Sequence, residues 1–250
     1  MRSCLLISFL MLTCIAKSQV VFDPVIAGNS PGGSIVMTQI NIYGTDKLGR
    51  AISLSDVRGT PFADSAWRVA WLFDFNDKLF GKFTVKINLY NNNLHYLNKM
   101  GEELVADKGQ IKRVVFVPKD STEPLQMYQC GFKGMDKDES SLFHYMQTFN
   151  IGGVQLIKRT TKYIDTYDSL VIYKLNRFRK KESYYLYQNG IATQLPRLSR
   201  SNILESIPAE SSTEAWLDKQ QNRLKTPQEV ALFLDYYNSK RGNKIRLVFD

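Results

Sequence analysis

Alternating apolar and polar residues predict β-strands through most of the middle of the chain. In residues 83–89, apolar side chains occupy every second position and polar ones lie between them. Because successive side chains of a strand point to opposite faces, this pattern predicts one buried face and one solvated face. Three asparagines at 91–93 favour a tight turn into the apolar residues 94–97. The sequence therefore predicts a β-hairpin over residues 83–97.

Further strand-like segments follow one another at short intervals without a helical pattern between them. They are residues 34–43, 67–75, 110–117, 127–132, 143–149, 154–164, 169–175 and 183–187. Segments this closely spaced leave little room for the crossover helices that parallel strands need. The pattern predicts an antiparallel β domain over residues 34–195, either a meander or a sheet curled into a partial or closed barrel.

The pattern changes to helix signals after residue 195. Residues 211–214 (SSTE) and 226–229 (TPQE) both fit a capping box, and in the second Thr226 is the predicted N-cap, followed by proline. Apolar residues at 230, 233, 234 and 237 then form one stripe of helical spacing. We expect residues 196–250 to form two or three helices packed on the sheet, which makes the fold class α+β.

The first residues of the chain have the layout of a secretory signal peptide. A basic residue, Arg2, precedes an apolar run over residues 4–12 and a small-residue exit that ends at Ser18. The run is shorter than the roughly 20 residues of a membrane-spanning helix. We expect residues 1–18 to be cleaved after Ser18 and residues 19–33 to be a flexible segment. The mature protein would then be exported, with periplasm, outer-membrane association and release left open.

The charge balance changes the expected partners. The chain has 33 Lys and Arg against 24 Asp and Glu, a formal net charge of +9, which falls to +7 if Arg2 and Lys17 leave with the leader. An exported basic protein is expected to meet an envelope lipid, glycan or protein rather than nucleic acid. The densest basic run lies at residues 177–181. Its predicted contacts with an anionic surface are Arg177, Arg179, Lys180 and Lys181. The alternative is a solvated hairpin tip between two strands.

Residues that commonly carry catalysis or bind metal are scarce after the leader. His95, His144 and Cys130 show no zinc-binding or nucleophile motif, and Cys130 is expected to be a buried apolar side chain. Residues 136–139 (DKDE) hold three carboxylates but lack the ligand spacing of a calcium loop, which favours a solvated turn. The sequence thus offers no candidate catalytic residue, metal site or cofactor, and we expect no membrane-spanning helix in the mature chain.

Several short motifs resemble those of a known group of proteins. They are residues 59–62 (GTPF) leading to Trp67, the hairpin at 83–97, residues 111–116, residues 184–187 (YYLY) before Asn189 and Gly190, and residues 236–238 (YYN). With these motifs the chain resembles a broad group of uncharacterised exported proteins of Bacteroidota. The group has an Asn or Asp pair where this chain has residues 63–66 (ADSA). The resemblance implies a β-rich envelope protein and brings no catalytic residues with it.

The functional hypothesis that follows is a non-enzymatic binding or interaction module of the envelope. Aromatic strand faces would supply the contacts, with Trp67, Trp71 and Tyr96 as ligand-binding candidates; ordinary core packing is the alternative for all three. A curled sheet would instead suit a lipocalin-like binder of an apolar or lipid ligand. A hydrolase acting on envelope glycan or lipid would require carboxylates from different strands to converge in a concavity.

Overall fold

The computed structural model describes residues 37–38, 43–45, 49–168, 174–207 and 211–242. Its strands, β1 to β14, are Met37–Thr38, Tyr43–Thr45, Ala51–Ser53, Val57–Arg58, Arg68–Phe73, Leu79–Asn88, Asn93–Leu97, Glu103–Ala106, Arg113–Phe116, Met127–Gln129, Met146–Thr148, Val154–Asp168, Lys174–Gln188 and Ile191–Leu195. Its helices, α1 to α3, are Arg200–Ser206, Ser211–Lys219 and Pro227–Lys240. A large sheet followed by C-terminal helices confirms the predicted α+β class.

Two meanders joined side by side build the large sheet. Its strand order is β1-β8-β7-β6-β5-β9-β10-β11-β12-β13-β14, and β2 and β3 form a separate pair. The chain first runs outward from β5 to β8, then returns to the other side of β5 with β9 and continues outward to β14. Neighbours are antiparallel except β4, which pairs in parallel with β13. The sheet does not close into a barrel, so the open arrangement is the one observed.

The strand predictions differ from the structure at several places. The hairpin at residues 83–97 is confirmed as β6 and β7. The strands β3, β4, β8 and β14 were not predicted, and parts of the predicted strands at 34–43 and 169–175 lie outside the described residues. The basic run at 177–181 lies inside β13 rather than at a hairpin tip. The tip prediction was wrong because β12 offers a hydrogen-bonded partner along the whole length of that run.

One face of the sheet, here called the inner face, carries most of the buried side chains. In its first half Leu72, Val85 and Tyr96 are fully buried in one apolar cluster. Strand register continues the same face into β12 and β13, where Leu156 and Leu186 pack against the C-terminal helices. The C-terminal helices therefore cover the second half of the inner face. The apolar cluster lies on the first half.

The helix α3 docks on the sheet through the stripe that the sequence predicts. Thr226 is its N-cap, and the Thr226 hydroxyl oxygen accepts a hydrogen bond of 3.2 Å from the Glu229 amide. The buried residues of the helix are Val230, Phe233, Leu234, Tyr237 and Asn238. The predicted cap and apolar stripe are both confirmed, and the stripe packs on β12.

The long hairpin of β12 and β13 curls the sheet toward its N-terminal part. Each of its strands has 15 residues, more than β11 can cover. Beyond β11, the Lys162 amide donates a 3.2 Å hydrogen bond to the Leu89 carbonyl, and Asn176 pairs with Val57. These contacts bend the inner face into a concave surface.

Within the described ranges, no helix has the length and apolar content needed to cross a membrane.

Candidate functional site

A pocket of about 480 Å³ lies on the concave inner face. Its lining residues are Thr60, Ala63, Asp64, Ser65, Ala66, Arg68, Val85, Lys86, Ile87, Phe116, Gln126, Tyr128 and Gln147. They come from five strands or their flanking residues and from the segment at residues 60–66. Eight of the thirteen are polar or charged, whereas most small-molecule pockets are lined by apolar side chains. The lining therefore suits a polar ligand.

Arg68 is a buried cation at one side of the pocket. Only 7% of the residue is exposed, and its guanidinium donates to Gln126 Oε1 at 3.0 Å and pairs with Glu123 Oε1 at 2.8 Å. The guanidinium carbon also lies 5.0 Å from the centre of the Phe116 ring. Burying a charge is costly unless it is paired and hydrogen-bonded, and Arg68 meets both conditions. Arg68 thus holds Gln126 in place while Glu123 neutralises its charge.

The side chains of Tyr128 and Gln147 present polar groups to the pocket, and these groups make no hydrogen bond within the described protein. The two residues are directly opposite each other on β10 and β11, so their side chains share the inner face. Both are half-buried, and neither side chain makes a hydrogen bond with another residue in the described part of the chain. Burial raises the pKa of Tyr128 to about 12, which keeps the hydroxyl protonated at neutral pH. A phenol and an amide are therefore available to a bound molecule.

The segment at residues 60–66 forms a rim of the pocket, and other parts of the fold hold it. The Ala63 amide donates to the Ile87 carbonyl at 2.8 Å. The ammonium group of Lys162 donates to the Thr60 carbonyl at 2.7 Å and to the Phe62 carbonyl at 2.5 Å. Asp64 stabilises the following turn, because its Oδ1 accepts a 2.9 Å hydrogen bond from the Ala66 amide. A rim without regular secondary structure is thus fixed by β6 and β12.

The three aromatic candidates from the sequence lie in different surroundings. Trp67 is half-buried beside the pocket residue Arg68, and the Lys86 ammonium lies 4.3 Å from a Trp67 ring centre. Trp71 alternates with Ala70 and Leu72 and therefore faces the outer side of the sheet. Tyr96 is fully buried in the apolar cluster of the inner face. None of the three lines the pocket, and their ligand-binding role stays a prediction.

The four basic candidates are divided between two faces of the hairpin. Arg177 and Arg179 both lie near Asp165 Oδ2, at 3.9 and 3.2 Å. Lys180, on the opposite face, pairs with Glu182 at 3.1 Å, and Lys181 is exposed on the face of the two arginines. The structure places Arg177, Arg179 and Lys181 on one face, where Asp165 neutralises part of the charge of the two arginines. Contact with an anionic surface remains a prediction.

The remaining candidate residues have structural surroundings. His95 Nδ1 lies 2.7 Å from Glu103 Oε1, and the thiol of Cys130 donates to the Ile111 carbonyl at 3.4 Å. Burial raises the pKa of Cys130 to about 12. Asp136, in the acidic turn, pairs with Arg159 at 3.0 Å. Among the residues that the structure describes, no three His, Cys, Asp or Glu side chains gather as metal ligands would.

The sequence interpretation missed the polar residues of the pocket, although one signal was present. Arg68 alternates with Ala70 and Leu72, so it occupies an inward position of a strand whose next inward residues are apolar. A charged residue at such a position indicates a paired or functional group. Tyr128 and Gln147 carry no comparable signal, because only the register of β10 and β11 places them together.

The fold and the pocket define an α+β protein with a concave, almost entirely antiparallel sheet and a pocket with a mostly polar lining. No protein-family model matches the chain, and no curated protein or solved structure is significantly similar to it.

Proposed function

We propose that this protein is an exported envelope protein, similar to the Bacteroidota group described above, that works as a non-enzymatic binding module. Its ligand would occupy the inner-face pocket. The observation that carries the proposal is the pocket itself, in which Tyr128 and Gln147 have no partner within the described protein. Both side chains are half-buried, so their polar groups are open to water, and a bound polar molecule would replace that water with its own hydrogen bonds.

The polar lining favours this function over the lipocalin-like alternative. An apolar ligand would leave the amides of Gln126 and Gln147 without the water that hydrates them, and that desolvation costs free energy. The apolar side chains of the inner face are largely engaged in packing against one another. A polar ligand instead replaces water at the amides with its own hydrogen bonds.

The hydrolase alternative receives less support from the same residues. Among the described lining residues Asp64 is the one carboxylate, and its Oδ1 already accepts the Ala66 amide. Glycoside hydrolysis commonly uses two carboxyl groups on either side of the bond that is broken. The pocket therefore supports binding better than bond cleavage.

Native mass spectrometry of the protein purified from its own host in mild detergent tests the proposed function. We expect an additional retained mass on the unaltered protein and on the control variant Gln220→Trp, which changes an exposed residue of the helical part. The variant Gln147→Trp fills the pocket and should carry no additional mass. An unaltered protein without a retained molecule, or a retained molecule that persists in Gln147→Trp, would contradict the proposal.

A further inference from the structure

A row of polar side chains crosses four neighbouring strands of the inner face and begins in the pocket. Strand register places Tyr128 opposite Gln147, Gln147 opposite Lys158, and Lys158 opposite Tyr184. We call these four residues the polar row. Because hydrogen-bonded strands lie about 4.8 Å apart, the row spans roughly 14 Å from Tyr128 to Tyr184. Because Lys158 and Tyr184 are not among the lining residues, the polar row extends beyond the pocket and indicates an elongated surface.

The chemistry of the polar row combines flat aromatic rings with neutral hydrogen-bonding groups. Tyr128 and Tyr184 occupy its two ends, and the amide of Gln147 lies between them. The one charged member, Lys158, lies 3.6 Å from Glu182 Oε1, an oxygen that Lys180 contacts at 3.1 Å, so the charge of Lys158 is only partly balanced. All four residues are half-buried. The polar row is thus polar and aromatic and carries a single charged group, Lys158.

The polar row lies between two parts of the fold that delimit a groove. On one side, the next inward residues along the strands are Phe149, Leu156 and Leu186, which pack with the C-terminal helices. On the other side, the segment at residues 60–66 forms the rim of the pocket over Tyr128 and Gln147. An elongated ligand would lie across the strands, between the helices and this rim.

From this arrangement we propose that the ligand is a neutral glycan chain, bound along Tyr128, Gln147, Lys158 and Tyr184. This inference rests on the proposed function and specifies its ligand class. Sugar rings present apolar C–H faces that pack on aromatic rings, and their hydroxyls both donate and accept hydrogen bonds. The half-buried tyrosines at the two ends of the polar row offer partly covered rings, and Gln147 and Lys158 between them offer hydrogen-bonding groups. The glutamine amides match hydroxyls because each amide also donates and accepts.

Other ligand classes fit the polar row less well. An extended peptide normally binds by adding a strand at a sheet edge, whereas the polar row crosses the face of the sheet at right angles to its strands. An anionic ligand would need cations free to meet it, but Arg68 pairs with Glu123 and Lys158 lies near Glu182, which Lys180 also contacts. The ammonium of Lys86, at the pocket, lies over the rings of Phe62 and Trp67. A lipid chain would leave the amides without hydrogen bonds.

Calorimetric titration of the full chain with neutral tetrasaccharides tests the ligand class. The probes are chitotetraose, cellotetraose, maltotetraose and mannotetraose. We expect at least one to bind, and we expect Gln147→Ala and Tyr184→Phe each to weaken that binding about tenfold, the loss that one neutral hydrogen bond represents. Tyr163→Phe alters an exposed tyrosine on the outer face of β12 and serves as the matched control with unchanged affinity.

Salt dependence separates a neutral glycan from an anionic ligand. Raising the salt concentration from about 0.05 to about 0.5 M should leave the affinity unchanged, because screening acts only between charges. No binding of any probe, or binding that neither variant weakens, would overturn the inference. A retained molecule without sugar in the native mass spectrometry above would also overturn it while leaving the binding function intact. An empty protein in both experiments would remove the glycan inference and the proposed function together.

Discussion

Arg68 shows how a single residue joins the pocket to the core. Its guanidinium contacts Gln126, the Val117 carbonyl and Glu123, and it lies against Phe116. Only a planar group with several donors can make these contacts together, since lysine offers a single point charge. The residue therefore serves both the fold and the orientation of a pocket-lining amide.

Replacing Arg68 with lysine should lower the free energy of unfolding. We expect a loss of about 1–3 kcal/mol, because part of the hydrogen bonding to buried partners is left unmade. Urea unfolding measures the loss. Arg58→Lys is the matched control at an exposed arginine and should change stability little. Equal stability of the two variants would show that the contacts of Arg68 contribute nothing beyond its charge.

His95 makes the stability of the fold sensitive to mild acid. Burial is the main cause that lowers the pKa of His95 below its ordinary value of 6.5, although the neighbouring Glu103 acts in the opposite direction. Between the lowered pKa and 6.5 the unfolded chain binds more protons than the folded chain. The stability is therefore fully present above the unfolded pKa and is lost as pH falls through 6.5 toward the folded pKa.

Unfolding measured from pH 8 down to pH 5 should show this loss. His95→Gln removes the titrating group and should make the pH dependence shallower. His144, whose pKa is also lowered chiefly by burial, acts in the same direction. The double variant His95→Gln and His144→Gln should accordingly give the flattest profile. A pH dependence that is as steep in both variants as in the unaltered protein would contradict this account.

At the scale of elements, the side-chain amide of Asn238 links the helix α3 to β12. Asn238 Oδ1 accepts the Val154 amide at 2.9 Å, and Asn238 Nδ2 donates to the Val154 carbonyl at 2.8 Å. Gly152 packs against the same side chain so closely that an added Cβ would overlap it. The glycine therefore allows the helix to approach the start of the strand.

The variant Asn238→Ala should show how much the hydrogen-bonded contact contributes beyond the apolar packing of the stripe. We expect a loss of about 1–3 kcal/mol in the free energy of unfolding, because the buried Val154 amide loses its acceptor. Chemical denaturation provides the measurement. Ser239→Ala, on the exposed side of the same helix, is the control. A loss no larger than that of the control would show that apolar packing alone places the helix.

Local patterns predicted these elements better than they predicted the site. The alternation before Leu89 and the cap at Thr226 each act within a few residues, so the sequence shows them directly. The parallel pairing of β4 with β13 joins segments far apart in sequence, and no local pattern indicates it. The contact of Tyr128 with Gln147 likewise depends on register alone. The sequence thus predicted the fold class, whereas the pocket required the tertiary structure.

At the scale of the whole molecule, Lys162 links the two ends of the concave surface. Its ammonium group holds the Thr60 and Phe62 carbonyls, and its backbone amide bonds to Leu89. Burial, with a smaller effect of Lys180, lowers the pKa of Lys162. The pocket rim thus depends on a strand that follows it by about a hundred residues.

Lys162→Met should loosen the rim without disturbing the rest of the sheet. We expect faster hydrogen exchange at the amides of Ala63 and Ala66 and unchanged exchange at Val114 in the core strand β9, measured by mass spectrometry after proteolysis. Lys181→Met, an exposed lysine on the other face of the hairpin, is the matched control. Unchanged exchange at both rim positions would show that the ammonium group is dispensable.

The position of Lys162, about a hundred residues after the pocket rim, indicates an order of folding. The hairpins from β6 to β8 and from β10 to β14 join residues close in sequence, so their loops close at little entropic cost. The segment at residues 60–66, by contrast, emerges early in synthesis and meets Lys162 only after the strand β12 has been made. We therefore expect the two meanders to form first and the pocket last. A chain halted before β12 would contain the whole first meander but would lack the strand that holds the pocket rim.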